Sequence, residues 1–355
     1  MPQQVHVVGA RPNLIKAAPV VRALRSSGER PLLVHTGQHY ERELSEVFFE
    51  QLGLPEPDVN LGVGSASHGR QTAALMVGLE GFFVEARPRS VVVYGDVNST
   101  LAAALVAAKL HIPLAHVEAG LRSFDRSMPE EINRVVTDVI SDRHFTTSPE
   151  AAEHLVQEGI AVEGIHFVGN TMIDTLVRFR ERLDVDEARH RYGLEGDYAV
   201  CTLHRPANVD DRDSAAALLK ALGLVSGEIP IVFPVHPRGR PSLESLGLLD
   251  LSGVLVTPPL GYLEFMALMS DARLVLTDSG GIQEETTVLG VPCLTLRDNT
   301  ERPITLTMGT NRLVGRDPDF IYSTALEVLS DPPRGRIPPL WDGHAGDRVA
   351  EILHS

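Results

Sequence analysis

The chain has 355 residues, of which 47 are acidic and 32 are basic, and its formal net charge is −15. Hydrophobic residues make up 43% and charged residues 22%, values near the globular average that exclude collagen-like and disordered classes. The acidic balance argues against a nucleic-acid partner, and no apolar run approaches the ~18 residues that a membrane span needs.

The two cysteines, Cys201 and Cys293, are isolated in the sequence. This usage fits a reducing cytoplasm and argues against a disulfide framework or a zinc site. The histidines are scattered without the spacing of metal ligands, so we predict no metal. The N-terminus has no basic region before its apolar stretch, so we predict no signal peptide.

Short apolar runs alternate with helical patterns through the first half of the chain. The runs are rich in β-branched residues, which predicts strands over Val5–Val8, Pro31–His35, Val91–Tyr94, Leu114–Val117, Phe145–Thr147 and His166–Val168. Apolar residues at helical spacing predict helices over Pro12–Leu24 and Thr100–Lys109.

The second half repeats this plan. The predicted strands are Ala199–Leu203, Ile231–Val235, Val254–Thr257, Leu274–Thr277, Cys293–Leu296 and Leu313–Gly315. The predicted helices are Ser214–Leu222, Tyr262–Met269, Ile282–Val288 and Ile321–Leu329. This alternation is typical of parallel sheets covered by helices, so we predict an α/β fold with two Rossmann-like, doubly wound domains facing a cleft. The expected domains are residues 1–170, joined by a C-terminal helix at about 340–355, and residues 171–339.

Two turns between a strand and a helix are candidates for anion binding, because a helix N-terminus offers unpaired N–H groups and a positive dipole end. In the first, Arg11 and Lys16 flank the start of a helix. The second is Ser279-Gly280-Gly281, where the glycines allow close approach of a diphosphate. Ordinary capped helices with surface charges are the alternative at both places.

Acidic residues follow neighbouring strands in the first half. Asp96 and Glu118 each follow a predicted strand, and Glu130 begins the segment PEEINR. Ligands of open α/β sheets bind beyond the carboxyl ends of the strands, and carboxylates that share a partly dry site separate into acid and base roles. The sequence therefore favours catalysis here over an N-cap at Asp96 and solvated glutamates.

Further candidates lie at strand ends in the second half. His204 and Arg205 follow the first of these strands, and His236 follows the next. A histidine at such a place transfers protons near neutral pH or simply bonds the backbone. Arg302 lies in a loop after a later strand and is a weaker candidate for a diphosphate clamp.

The segments GARPNLIKAAP, TGQH, GDVNST, HVEAGLRS, PEEINR, FVGNTMID, LHRPANVD, PVHP, TDSGGIQEE and RDNTERP occur in this order. With them the chain resembles the UDP-N-acetylglucosamine 2-epimerase family over nearly its whole length. The resemblance implies a glycosyltransferase-B arrangement, a cytoplasmic homodimer, no cofactor, and a role in cell-surface polysaccharide biosynthesis. The implied reaction interconverts UDP-GlcNAc and UDP-ManNAc by elimination of UDP, through 2-acetamidoglucal, and re-addition.

The resemblance also implies site residues. Asp96, Glu118 and Glu130 align with the family's acidic triad, and His204 aligns with its essential histidine. Positions that match substrate and UDP binding are Arg11, Lys16, Arg205, His236, Ser279, Gly280, Gly281, Glu285 and Arg302.

The chain departs from the family at the site where a second UDP-GlcNAc binds as an activator. Gln38 and Arg70 of that site are present, but Pro206 replaces an arginine and Glu41 a glutamine. Three alternatives remain at this stage: a hydrolysing epimerase that releases ManNAc and UDP, a glycosyltransferase on the same fold, and a sugar-nucleotide sensor. The dense acid set argues against the last two.

Overall fold

A computed structural model of the chain describes residues 3–37, 49 and 51–354. The chain folds as two units. Unit 1 comprises Met1–Arg178 and Pro339–Ser355, and unit 2 comprises Phe179–Pro338.

Unit 1 is built on a parallel sheet whose spatial order is β3-β2-β1-β4-β5-β6-β7. Its strands are β1 Gln4–Val8, β2 Leu32–His35, β3 Val59–Asn60, β4 Ser90–Tyr94, β5 Leu114–Ala119, β6 Arg143–Thr146 and β7 Ile165–Phe167. From β1 the chain builds the sheet first to one side and then, from β4, to the other. The crossover between β1 and β4 is the place where sheets of this kind bind ligands.

The helices of unit 1 connect these strands. They are Arg11–Ser26, His68–Ala86, Asn98–Lys109, Pro129–Ile140, Pro149–Gln157, Thr171–Phe179, which reaches the unit boundary, and Ala345–His354. The last of them packs on the first. The Asp174 carboxylate accepts the N–H groups of Ala345 and Gly346 at 3.1 and 2.6 Å, and so caps the C-terminal helix.

Unit 2 repeats the topology with the order β10-β9-β8-β11-β12-β13, again all parallel. Its strands are β8 Ala199–Thr202, β9 Ile231–Pro234, β10 Val254–Thr257, β11 Leu274–Thr277, β12 Cys293–Thr295 and β13 Asn311–Leu313. Its α-helices are Val185–Arg191, Pro206–Val209, Arg212–Ser226, Arg240–Ser245, Tyr262–Asp271, Gly280–Leu289, Ile304–Thr307 and Pro318–Ser330. The crossover here lies between β8 and β11.

The α/β prediction is confirmed, and the six helices predicted with named ends lie inside longer helices of the structure. The predicted C-terminal helix at about 340–355 is shorter in the structure, where it covers Ala345–His354. For several described elements of unit 1 no bounds were predicted from the sequence: the two-residue strand β3 and the helices His68–Ala86, Pro129–Ile140, Pro149–Gln157 and Thr171–Phe179. The helix His68–Ala86 shows a narrow buried stripe and carries three glycines. The last predicted strand, Leu313–Gly315, was placed two residues too late. Among the described residues, no helix is long and apolar enough to cross a membrane.

Candidate active site

The acids predicted in unit 1 lie at the carboxyl ends of neighbouring strands. Asp96 follows β4 and Glu118 lies near the end of β5, and these two strands pair directly. Arg11 and Lys16 are in the helix that follows β1, the other neighbour of β4. The crossover of the sheet therefore brings together residues from three separate parts of the chain.

Glu118 occupies an unusual backbone position. Its φ is +73°, in the left-handed region that residues other than glycine rarely adopt. The pairing of β5 with β6 is irregular between Val117 and Ala119, so Glu118 lies at a bulge, which redirects its side chain. The carboxylate forms an ion pair with Lys16, and both residues are about 5% exposed. Such strain persists where the surrounding structure holds it and is frequent at functional sites.

Asp96 does not cap the following helix. That helix begins at Asn98, with Val97 at the N-cap position and no side-chain cap. Instead the Asp96 carboxylate accepts hydrogen bonds from Arg134 Nη2 and Nε at 2.5 and 3.2 Å. Asn133 donates to the Asp96 carbonyl oxygen at 2.8 Å. Asp96 is therefore an oriented and partly exposed carboxylate.

The two glutamates of PEEINR have different surroundings. Glu131 is buried and accepts the N–H groups of Ser123 and Phe124 at 3.0 and 2.9 Å, and it pairs with Arg134 at 2.7 Å. Glu130 is half-buried, and among the described residues its carboxylate has no hydrogen bond or ion pair. Glu131 therefore holds the preceding loop, whereas Glu130 makes no comparable contact with the described residues.

His204 of unit 2 is oriented by a carboxylate that the sequence analysis did not single out. Asp278 is fully buried and its Oδ1 lies 2.7 Å from His204 Nδ1. It also accepts the backbone N–H groups of His204 and Arg205 at 3.1 and 2.9 Å. Burial alone would raise the pKa of Asp278, but His204 and these amides lower it below the ordinary value. An ionised Asp278 keeps the hydrogen on Nδ1, and the side chain of His204, 45% exposed, presents Nε2 outward.

Three arginines surround Glu301 beside the start of the helix Gly280–Leu289. Glu301 contacts Arg205 at 3.4 Å, Arg297 at 2.7 Å, and also Arg302. Arg302 reaches Glu284 at 3.0 Å. A Cβ at Gly280 would lie 2.3 Å from Arg302 Nη1, so only glycine lets the helix start pack against this cluster. Three guanidinium groups, two carboxylates and a helix N-terminus together favour an anion.

Glu285 lies further along the same helix. It is buried, and the Tyr262 hydroxyl donates to its Oε1 at 3.4 Å. Burial, the larger cause, and the nearby Glu284 carboxylate raise the pKa of Glu285 to about 8. The carboxyl group is therefore largely protonated at neutral pH while no ligand donates to it.

This pKa predicts a pH-dependent stability that Glu285→Gln removes. The folded state binds a proton that the unfolded chain releases above pH 4.5, so the free energy of unfolding falls as the pH rises from 4.5 through about 8. Between pH 5 and 8, we expect Glu285→Gln to become more stable relative to the wild type by about 3 to 4 kcal/mol. Urea unfolding across this range measures the difference. Glu327→Gln, on an exposed helix face, is the matched control, and parallel pH profiles of wild type and Glu285→Gln would contradict the prediction.

The remaining predicted site residues make fewer contacts that bear on a role in the site. Arg11 begins its helix and is partly exposed, and Arg70 is exposed on the helix His68–Ala86. The Nδ1 of His236 accepts the N–H of Arg238 at 3.2 Å in the loop after β9. Ser279 is the N-cap residue, but its side chain makes no capping hydrogen bond. Gln38 lies outside the residues that the structure describes.

Gly281 follows Gly280 within the first turn of that helix. In the part of the chain that the structure describes, no group of three or more His, Cys, Asp or Glu side chains is placed to hold a metal ion.

Sequence reasoning missed Arg134, Asp278 and Glu301 as partners of the candidate residues. All three lie inside the quoted segments PEEINR, TDSGGIQEE and RDNTERP, which was the available signal.

Two parallel sheets of this topology place the chain in the glycosyltransferase-B-like fold class, together with solved structures of nucleotide-sugar enzymes. The sequence profile described as UDP-N-acetylglucosamine 2-epimerase matches residues 22–354. The chain therefore belongs to the UDP-N-acetylglucosamine 2-epimerase family, and it is an enzyme of the isomerase class. This confirms the family and the class that the motifs indicated.

Relatives of known name cover nearly the whole chain. A UDP-N-acetylglucosamine 2-epimerase of Methanocaldococcus jannaschii is 41% identical, with 98% of this chain and 97% of that protein covered. A UDP-2,3-diacetamido-2,3-dideoxy-D-glucuronate 2-epimerase of Pseudomonas aeruginosa is also 41% identical, with 98% of each covered. The crystal structure of the M. jannaschii UDP-GlcNAc 2-epimerase with UDP-GlcNAc and UDP superposes with a TM-score of 0.92, at 40% identity and 99% coverage of both chains.

Proposed function

We propose that this protein reversibly epimerises UDP-GlcNAc to UDP-ManNAc at C2, through anti elimination of UDP and a 2-acetamidoglucal intermediate. The observation that carries the proposal is the pair of carboxylates at neighbouring strand ends, Asp96 after β4 and Glu118 at the bulge of β5, each beside a cation. The family membership and the M. jannaschii structure with UDP-GlcNAc and UDP support the substrate.

The chemistry explains why several carboxyl groups are needed. C2 is not next to a carbonyl, so its proton is removed only as the C1–O bond breaks. The base takes the proton, the C–H electron pair forms the C1=C2 bond, and UDP leaves with the electron pair of the C1–O bond. In the return step UDP adds to C1, and a proton is delivered to the opposite face of C2. One group must accept the proton and another must supply it, roles that we assign to Asp96, Glu118 and Glu130.

Unit 2 supplies the binding of the leaving group. The negative charge that develops on the diphosphate is stabilised by the start of the helix at Ser279, Gly280 and Gly281. Arg205 and Arg302 add their positive charges. We assign His204, oriented by Asp278, to a hydrogen bond or proton transfer at that diphosphate. Glu285 is placed further along the same helix, and we assign it to the ribose hydroxyls.

Arg11, Lys16 and His236 complete the proposed substrate-binding set. Lys16 also contacts the Glu118 carboxylate as its ion-pair partner. We further propose that the two units act as the sugar-processing and UDP-binding domains of a cytoplasmic homodimer. Light scattering of the purified chain at two concentrations tests the dimer, and a monomer mass at both would contradict it.

A second sugar is a candidate substrate. The P. aeruginosa relative named for UDP-2,3-diacetamido-2,3-dideoxy-D-glucuronate is as similar to this chain, at 41% identity, as the M. jannaschii UDP-GlcNAc epimerase. The same C2 chemistry serves both sugars. Parallel kcat/KM measurements on the two sugar nucleotides decide between them, and a preference for the uronate of more than tenfold would replace UDP-GlcNAc in the proposal.

Proton NMR in deuterated buffer tests the reaction directly. With UDP-GlcNAc and no added cofactor, we expect UDP-ManNAc to appear with deuterium at C2, because the proton returns from a group that exchanges with solvent. Asp96→Asn is the matched control for a contaminating activity. Free ManNAc with an equal amount of UDP would instead establish the hydrolysing reaction, and loss of UDP-GlcNAc only after addition of an acceptor would establish a transferase.

A further inference from the structure

A cluster of charged residues, buried except for Glu158 at its outer end, contacts the chain beside Asp96 and Glu118 in unit 1. It consists of Asp138, His116, Arg122 and Glu158, which we call the Asp138 cluster. Asp138 and His116 are completely buried, and Arg122 is 2% exposed. The proposed reaction assigns none of these four groups a contact with the substrate.

Asp138 holds the chain directly after Glu118. Its Oδ2 accepts the N–H of Gly120 at 3.1 Å and a hydrogen bond from Arg122 Nη1 at 2.7 Å. Gly120 has a φ of +80°, and a Cβ there would lie 2.2 Å from the carbonyl oxygen of Ala151. The segment after the bulge therefore packs closely against the helix Pro149–Gln157 and is hydrogen-bonded to Asp138.

Asp138 also reaches the turn that precedes Asp96, through His116. His116 Nδ1 lies 2.7 Å from Asp138 Oδ1, and its Nε2 lies 2.8 Å from the carbonyl oxygen of Gly95. A carbonyl oxygen only accepts hydrogen bonds, and so does an ionised carboxylate. Each ring nitrogen of His116 therefore faces an acceptor oxygen, and the ring links Asp138 to the turn before Asp96.

Arg122 joins the two carboxylates of the cluster. Burial would raise the pKa of Asp138, but His116 and Arg122 outweigh it and lower the pKa below the ordinary value. The Glu158 carboxylate accepts hydrogen bonds from Arg122 Nε and Nη2 at 2.7 and 2.6 Å. Charge-assisted contacts of this kind are strong and geometrically specific.

We propose that Asp138 is a positioning residue that sets the distance between the Asp96 turn and the Glu118 bulge. One carboxylate fixes the N–H two residues after Glu118 and, through His116, the carbonyl immediately before Asp96. This inference rests on the proposed function, in which both acids act on one sugar. A small displacement of the Asp96 or Glu118 carboxylate lowers the rate of the reaction steeply, because proton transfer requires the carboxylate to lie within hydrogen-bond distance of the substrate.

Asp138→Asn tests the proposal. The asparagine side chain has the size of aspartate but not its negative charge. Its N–H groups also face groups that donate hydrogen bonds to Asp138 in the wild type. We expect kcat to fall about 100-fold, with unchanged affinity for UDP. We also expect faster amide hydrogen exchange in residues 95–97 and 118–122. Glu158→Gln is the matched control, because it alters the outer end of the same cluster and leaves the bonds to Gly95 and Gly120 intact. It should keep the wild-type kcat and exchange.

Two outcomes would overturn the proposal: a folded Asp138→Asn with wild-type kcat, or a loss of kcat without faster exchange in either segment. If Asp138→Asn does not fold, His116→Gln serves instead, and it should loosen residues 95–97 more than residues 118–122. The exchange measurement needs no substrate. If the wild type leaves UDP-GlcNAc unchanged, the proposed function fails, while the exchange of the variants still decides the role of Asp138.

Discussion

Glu118→Gln is expected to lower kcat by about 10³-fold, within the range known for the loss of a general acid or base. The amide neither accepts the C2 proton nor returns one. The affinity for UDP should not change, because the residues assigned to UDP lie in unit 2. Formation of UDP-ManNAc followed by NMR gives kcat, and titration calorimetry with UDP gives the affinity.

The control for this variant must separate catalysis from folding. Lys16 is buried, and without the Glu118 carboxylate it loses its charge partner, which destabilises unit 1. Thermal unfolding of the variant is therefore measured beside that of Glu153→Gln, an exposed carboxylate of the same unit. Asp96→Asn gives a second test, since Arg134 keeps its contact with Glu131 at 2.7 Å. A folded Glu118→Gln with near-wild-type kcat would remove Glu118 from the catalytic set.

His204→Asn should have the second large effect, a fall in kcat of about 10²- to 10⁴-fold. The asparagine retains a group that can face Asp278 but has no titratable nitrogen at the position of Nε2. Formation of UDP-ManNAc followed by NMR gives kcat for both proteins.

Asp278→Asn distinguishes the orientation of His204 from its chemistry. The variant keeps the imidazole but no longer requires the hydrogen to be on Nδ1. We expect a smaller loss of kcat than in His204→Asn, because the imidazole is still present. His190→Asn, an exposed histidine of the same unit, is the matched control. Equal kcat values for wild type and His204→Asn would exclude the histidine from the reaction.

The architecture was readable from local patterns. Apolar runs such as Val91–Tyr94 and helical stripes such as Pro12–Leu24 recur along the chain, and the strands and helices found there confirm them. The residues at strand ends, including Asp96 and His204, were readable because parallel strands place their carboxyl ends at one edge of a sheet. The helix His68–Ala86 was missed because its buried stripe is narrow and interrupted by glycines.

The partners of these residues depended on the folded structure. Lys16 meets Glu118, and Arg134 meets Asp96, across long stretches of sequence, and no local pattern encodes such pairs. The left-handed backbone of Glu118 follows from the bulge between β5 and β6, which exists only when those strands pair. The local sequence therefore determined the helices and strands and the type of side chain at each strand end, because hydrophobic periodicity and turn preferences depend on residues close together in the chain. Packing of distant segments decided which charges face each other, because ion pairs and bulges form only where strands and helices meet.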